Sequence, residues 1–204
     1  MNNQNRIQRN IFCLGDSVTY GVGGSLEAGI IGWPEILKKE SAYRVYNLGI
    51  PGNTTDDLVK RLQEGIARVK KNKPSLFIIS FGLNDLAQNT TTQEYYVDSE
   101  QFVTNINKAI DTYSQLGTVL LLEVTPIADI LGVEPDKYGY IRKSEDVKIY
   151  NQLLQKISIQ RQVDYLAFPG FEPRMIGDDG LHPNKLGYEY LAQIIDLKLE
   201  SLEI

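Results

Sequence analysis

The sequence predicts an α/β protein of three layers, a five-stranded parallel sheet with helices on both faces. Five short apolar or β-branched runs alternate with segments of helical period, and strand alternating with helix is the pattern of a parallel sheet. Several of the runs are nearly continuous in hydrophobicity, as suits strands covered on both sides. No linker rich in Gly, Pro or Ser, no internal repeat and no low-complexity tract interrupts the 204 residues. One domain spanning 1–204 is therefore expected, with residues 1–9 as a polar N-terminal extension, and that length suffices to bury roughly 70% of the unfolded surface.

The elements follow in order. The first strand is NIFCLG (10–15), which breaks on Gly15, Asp16 and Ser17. A short helix runs from about Trp33 to Glu40, with Pro34 in its first turn, where a missing N–H costs nothing. The second strand is YRVYNLG (43–49). Leu58, Leu62, Ile66 and Val69 then recur at helical steps behind a Thr54/Asp57 cap. The third strand, SLFIISFG (75–82), precedes a helix marked by Phe102, Ile106, Ala109, Ile110 and Tyr113. The fourth, GTVLLLEV (117–124), precedes one marked by Val147, Tyr150, Leu153, Leu154 and Ile157 after an acidic SED start. VDYLAF (163–168) is the fifth strand, and Leu191, Ile194 and Ile195 mark a last helix after Asn184.

Charge and composition exclude several classes. With 21 basic and 26 acidic residues the net charge is −5, the wrong sign for a nucleic-acid footprint. The one short basic run, Lys70, Lys71 and Lys73, reads as cations at a helix C-terminus before Pro74. Cys13 is the only cysteine, so neither an intramolecular disulfide nor a thiolate metal cage is expected. The polar start MNNQNRIQRN lacks the apolar stretch of a secretion signal, and no run approaches the roughly 20 apolar residues of a membrane span. A cytoplasmic location without a membrane span is the expectation. Gly21, Gly23 and Gly24 hint at a dinucleotide loop, but the third glycine of the G-x-G-x-x-G fingerprint falls on Leu26. No P-loop run is present either, and no cofactor is expected.

In such a sheet ligands bind beyond the carboxyl ends of the strands, near the point where strand order reverses. There the chain carries Gly15-Asp16-Ser17, then GIPGNTT with Gly52, then GLNDL with Asn84 and Asp85, and finally DDGLHPN with Asp178, Asp179 and His182. These residue types are the parts of an acyl-transfer site. A serine hydroxyl needs a base to become a nucleophile, and the only histidine is His182, whose ordinary pKa of about 6.5 suits that task. Asp179, three residues earlier, is placed to accept the other ring N–H and fix the tautomer. The Ser17 N–H, the Gly52 N–H and the Asn84 amide offer donors for an oxyanion. Each residue also has a plainer use: Ser17 as a helix N-cap, Asn84 and Asp85 as turn formers, Gly52 as a turn glycine, Asp16 as a loop organiser. A metal on Asp178, Asp179 and His182 would have a single nitrogen ligand, which argues against it. No G-x-S-x-G elbow surrounds the serine, unlike an α/β-hydrolase.

GDSVT, NLGIPGNTT, GLND and DGLHP, in that order from residue 15 to 183, resemble the four sequence blocks of the GDSL family of esterases and lipases, also called SGNH hydrolases. The resemblance implies a flavodoxin-like fold and a serine hydrolase acting on carboxylic esters. It implies Ser17 as nucleophile, Asp179 and His182 as the Asp-x-x-His pair, and Ser17, Gly52 and Asn84 as oxyanion hole. Val18 stands where the family often has Leu or Ile, and Pro51 where Ser is common; neither departure removes a functional group.

Substrate is read from what overhangs the site. The 125–144 segment is longer than a simple connection. Its Ile127, Ile130, Leu131, Tyr138 and Tyr140, with Tyr95 and Tyr96 from the loop after Asn84, are candidate pocket walls. No large apolar lid is evident, which favours a short acyl or acetyl ester of a small molecule over a long chain. Lysophospholipids or thioesters are the alternative substrates. A catalytically idle binding module, or a scaffold in which every strand-end residue is turn chemistry, are the rival classes.

Overall fold

A computed structural model describes residues 9–23, 31–40, 43–70 and 73–202. Gly24 and Leu26, Lys71 and most of the polar N-terminal extension lie outside the described residues. The expected sheet is present. Strands β1 (Asn10–Gly15), β2 (Arg44–Gly49), β3 (Ser75–Ser80), β5 (Thr118–Leu122) and β7 (Asp164–Leu166) pair in parallel in the order β2-β1-β3-β5-β7. That order reverses direction between β1 and β3, so the site is expected beyond the carboxyl ends of those two strands. Every residue of β1 is buried, and β3 is buried up to its last residue. β1 matches its apolar run and β2 starts one residue into its own, whereas β3, β5 and β7 each end two residues before their runs do, where the chain peels away from the sheet towards the site.

The helices are α1 (Ser17–Tyr20), α2 (Trp33–Glu40), α3 (Thr55–Lys60), α4 (Leu62–Ile66), α5 (Ser99–Tyr113), α6 (Ser144–Arg161) and α7 (Lys185–Ser201). Of these, α2 packs on α7, while α3, α4 and α6 pack on α5. A ladder of rings ties β2, β1 and β3 to α5. Tyr46 stacks on Phe12, Phe12 on Phe77 and Phe77 on Tyr113, with centroids 5.0, 5.0 and 4.3 Å apart. Stacking adds to the large apolar area that such side chains remove from water.

Two features differ from expectation. The helical period through Val69 is broken at Arg61, between α3 and α4. The Arg61 guanidinium turns back to donate to the Leu48 carbonyl (2.8 Å) and Asn53 Oδ1 (2.6 Å), and its backbone leaves helical geometry at φ −104°, ψ 8°. The second is a two-residue antiparallel ribbon of β4 (Gln88–Asn89) and β6 (Tyr140–Ile141), which pins the 125–144 segment to the loop after Asn84. Neither partner has the length or alternation that marks a strand in sequence.

Candidate active site

β1 delivers the chain to Asp16, which is buried and caps α1: its Oδ1 accepts the Val18 N–H at 2.9 Å. The N-cap is thus Asp16 rather than Ser17, which frees the Ser17 hydroxyl for another partner. Burial, with the Asp85 charge adding to it and the Val18 N–H opposing, pushes the Asp16 carboxyl up to about 7. Ser17 occupies the first position of α1, so its own N–H has no intrahelical acceptor.

The partner of the Ser17 hydroxyl is His182, with Oγ and Nε2 2.8 Å apart. His182 Nδ1 lies 2.6 Å from Asp179 Oδ2. A carboxylate only accepts, so Nδ1 carries the ring proton and Nε2 is left to accept from Ser17. Asp179 also shapes the loop, its Oδ1 accepting the N–H groups of Leu181 and His182, both at 2.9 Å. Burial opposes its charge, but the His182 ring and these two N–H groups outweigh burial and hold the carboxyl below its ordinary value. Asp179, not Asp178, therefore carries the bonds to the histidine. Behind the loop, Asn184 caps α7 through the Gly187 N–H (3.1 Å) and donates to the carbonyls of Arg174 and Ile176. One residue explains part of the glycine run after α1. Gly23 has φ +89°, and a Cβ there would lie 2.6 Å from His182 Cβ, so the glycine lets this loop lie against the histidine.

The second and third strand ends meet beside this chain of bonds. Gly52 sits at φ +81° with open space where a Cβ would be, and α3 follows, with the Asp57 carboxylate accepting the Thr54 N–H and hydroxyl. Asn84 Nδ2 donates to the Asn53 carbonyl at 2.9 Å, which uses one of its two N–H groups. The adjacent Asp85, fully buried, accepts the Thr55 N–H (2.9 Å) and hydroxyl (2.5 Å). Consecutive residues of one loop thus clasp the other, holding Gly52 and Asn84 in fixed relation. Burial raises Asp85 to about 6 against the pull of the Thr55 bonds. The clasp is a role the sequence reading had not given Asp85 beyond turn formation.

A cavity of about 390 Å³ opens beside these two residues, lined by Gly52, Asn84, Tyr96, Asp136, Tyr138, Tyr140 and Arg142. Three of the expected wall residues, Tyr96, Tyr138 and Tyr140, line it. Tyr95 does not: its hydroxyl donates to Asp146 at 2.8 Å and its ring packs near Tyr150. Ile127 is also elsewhere, buried in the core by the apolar packing that its side chain favours. Arg142 and Asp136 were missed. The signal was a cation and a carboxylate set among aromatic residues in one long loop. Among the described residues no three His, Cys, Asp or Glu side chains converge as a metal site, and no helix is long and apolar enough to cross a membrane.

Comparison with known proteins bears on the family and the fold. The model of the GDSL-like Lipase/Acylhydrolase family matches residues 13–190. Thioesterase 1/protease 1/lysophospholipase L1 of Escherichia coli K12 is 25% identical over 194 residues, 94% of this chain and 84% of that protein. Among the solved structures that share the fold, two serve as examples. A lipase/acylhydrolase from Enterococcus faecalis has TM-score 0.69 and 21% identity, covering 95% of this chain and 96% of its own. A carbohydrate acetylesterase from Sinorhizobium meliloti has TM-score 0.71 and 19% identity, covering 96% of this chain and all of its own.

Proposed function

Because the chain belongs to the GDSL-like lipase/acylhydrolase family, we propose that it hydrolyses short-chain carboxylic esters, acetyl esters above all, through an acyl-enzyme on Ser17. The observation that carries this reading is the unbroken chain from Ser17 Oγ through the His182 ring to Asp179, with steps of 2.8 and 2.6 Å.

In the first half-reaction Ser17 Oγ attacks the ester carbonyl as His182 Nε2 takes its proton. The C=O electrons move onto oxygen, where the Ser17 and Gly52 N–H groups and the free N–H of Asn84 Nδ2 meet the charge. Collapse of this intermediate breaks the bond to the alcohol, which leaves with the proton from His182. Water, deprotonated by His182, then attacks the acyl-serine and releases the acid by the same steps in reverse. Asp179 stabilises the imidazolium and keeps the tautomer with Nε2 open; it takes no proton itself.

The short acyl preference rests on the lining of the cavity beside Gly52 and Asn84, which is tyrosine, arginine and aspartate with no aliphatic side chain among them and so offers a long alkyl chain no apolar bed. The E. coli relative's name includes thioesterase and lysophospholipase, and long-chain substrates are the competing outcome. The test is hydrolysis of p-nitrophenyl esters from acetate to palmitate by wild type, Ser17→Ala and His182→Ala, each checked for folding. Turnover of short chains, lost in both variants, is expected. Palmitate preferred over acetate would overturn the chain-length assignment, and activity retained in folded Ser17→Ala would overturn the mechanism.

A further inference from the structure

The cavity beside Gly52 and Asn84 is far larger than an acetyl group, so on the short-acyl reading above it receives the alcohol part of the ester. Its walls narrow what that alcohol can be. Arg142 is largely buried, and its guanidinium is braced on two sides: Nε donates to the Leu83 carbonyl at 3.1 Å and Nη1 to Asp136 Oδ2 at 3.2 Å. Neither bond uses Nη2, and a guanidinium has five N–H groups in a rigid fork. The Asp136 carboxylate is fixed in turn by the N–H groups of Tyr138 (2.9 Å) and Tyr140 (3.1 Å). Tyr96 and Tyr140 face each other with centroids 5.3 Å apart, while Tyr96 and Tyr138 stay 61% and 71% exposed. The ribbon pairing Asn89 with Tyr140 and the Thr90 N–H bond to the Gly139 carbonyl (2.9 Å) hold this loop in place.

Three classes of alcohol can be weighed against that lining. An alkyl chain would strip water from a guanidinium, a carboxylate and tyrosine hydroxyls without replacing their bonds, which is costly. An anionic alcohol would gain from Arg142 but meet Asp136 beside it, and the pair together carries no net charge. A neutral polyhydroxylated group meets donors from Arg142, an acceptor in Asp136, and tyrosine rings for its C–H faces. We propose that Arg142, Asp136 and the tyrosines at 96, 138 and 140 form a hydroxyl-reading subsite, and that the alcohol part of the substrate is a sugar-like polyol. Arg142 and Tyr138 are its specificity-determining residues.

The experiment holds the acyl group constant and changes the alcohol. Acetate release is measured from glucose monoacetate, hexyl acetate and the acetate ester of glycolate, for wild type, Arg142→Met and Tyr138→Ala. Wild type is expected to favour glucose monoacetate by at least about tenfold in kcat/KM, because a site built for hydroxyls leaves its own groups unpaired with an analogue lacking them. Arg142→Met should lower the glucose-to-hexyl ratio by about 10–100-fold, the loss of hydrogen bonds from a charged donor. Tyr138→Ala, at an exposed position that does not threaten the fold, should lower the same ratio about threefold or more. A wild type that prefers hexyl acetate overturns the inference, as does a ratio unchanged in both variants. Preference for the glycolate ester overturns it in favour of an anion site. In each of those cases the esterase reading stands; no release from any of the three esters overturns both.

Discussion

Replacing Asp179 by asparagine should harm turnover more than replacing it by alanine, although asparagine is the closer match in shape. In the proposed mechanism Ser17 attack turns His182 into a cation whose Nδ1 lies 2.6 Å from the Asp179 carboxylate. With charge centres roughly 4 Å apart, that attraction is about 4 kcal/mol at an effective dielectric constant of 20 and about 1 kcal/mol in water. The Asp179 side chain is 49% exposed and that of His182 only 12%, so the value lies between these limits. At about 1.4 kcal/mol per decade of rate, Asp179→Ala should lower kcat by roughly 10–10²-fold.

Asparagine adds a second fault. The Leu181 and His182 N–H groups both point at Oδ1, so the amide oxygen must stay there and its NH₂ must face the ring. Nδ1 is then forced to accept, the ring proton moves to Nε2, and Nε2 cannot take the Ser17 proton. The wrong tautomer costs about 10⁴ in kcat in a buried Ser-His-Asp triad, so Asp179→Asn should fall at least about tenfold below Asp179→Ala. Single-turnover acylation with p-nitrophenyl acetate, on variants shown to be folded, measures both. An asparagine variant as active as the alanine variant would refute the tautomer assignment.

Other perturbations test the rest of the site. If Asn84 is an oxyanion donor as proposed, Asn84→Ala should lower kcat by about 10²–10³-fold with little change in KM, read from steady-state kinetics on a short-chain ester. Gly23→Ala puts a Cβ at φ +89° against His182 and should cost roughly 10–10²-fold in kcat, since small displacements of a catalytic group are expensive; an unchanged kcat would mean that the loop yields freely. Asp16→Asn keeps the cap but removes a carboxyl raised to about 7 when folded from 3.8 when unfolded. A raised group stabilises fully below its unfolded pKa and loses that contribution as pH climbs through about 7. The variant should therefore melt several degrees above wild type at pH 8, with the gap closing by pH 4, and a gap that widens on acidification would contradict the sign.

The sheet and its helices were legible because both are written in periodicity: continuous apolar runs for strands buried on both faces, three- and four-residue steps for helices such as Ser99–Tyr113 and Lys185–Ser201. The candidate site was legible for a different reason. A single histidine leaves one choice of imidazole, and strand ends in a parallel sheet share one rim. What remained hidden depends on long-range hydrogen bonding, which leaves no local pattern. Arg61 breaks its helix to reach a carbonyl thirteen residues back, and β4 and β6 meet across some fifty positions with two residues each. Tyr95 and Tyr96 are adjacent and chemically identical, yet Asp146 takes one hydroxyl while the other ring lines the cavity; nothing in the order of residues distinguishes them.

On the proposed mechanism, the span of 165 positions between Ser17 and His182 also governs when the molecule becomes reactive. During synthesis the serine emerges long before the imidazole, which sits on a loop whose shape is fixed by Asn184 and the start of α7. An unfinished chain carries a hydroxyl with no base, and one cut before α7 carries a loop with no anchor. On that mechanism hydrolysis requires a chain that extends through α7, and proteolytic loss of α7 should silence the serine without touching it.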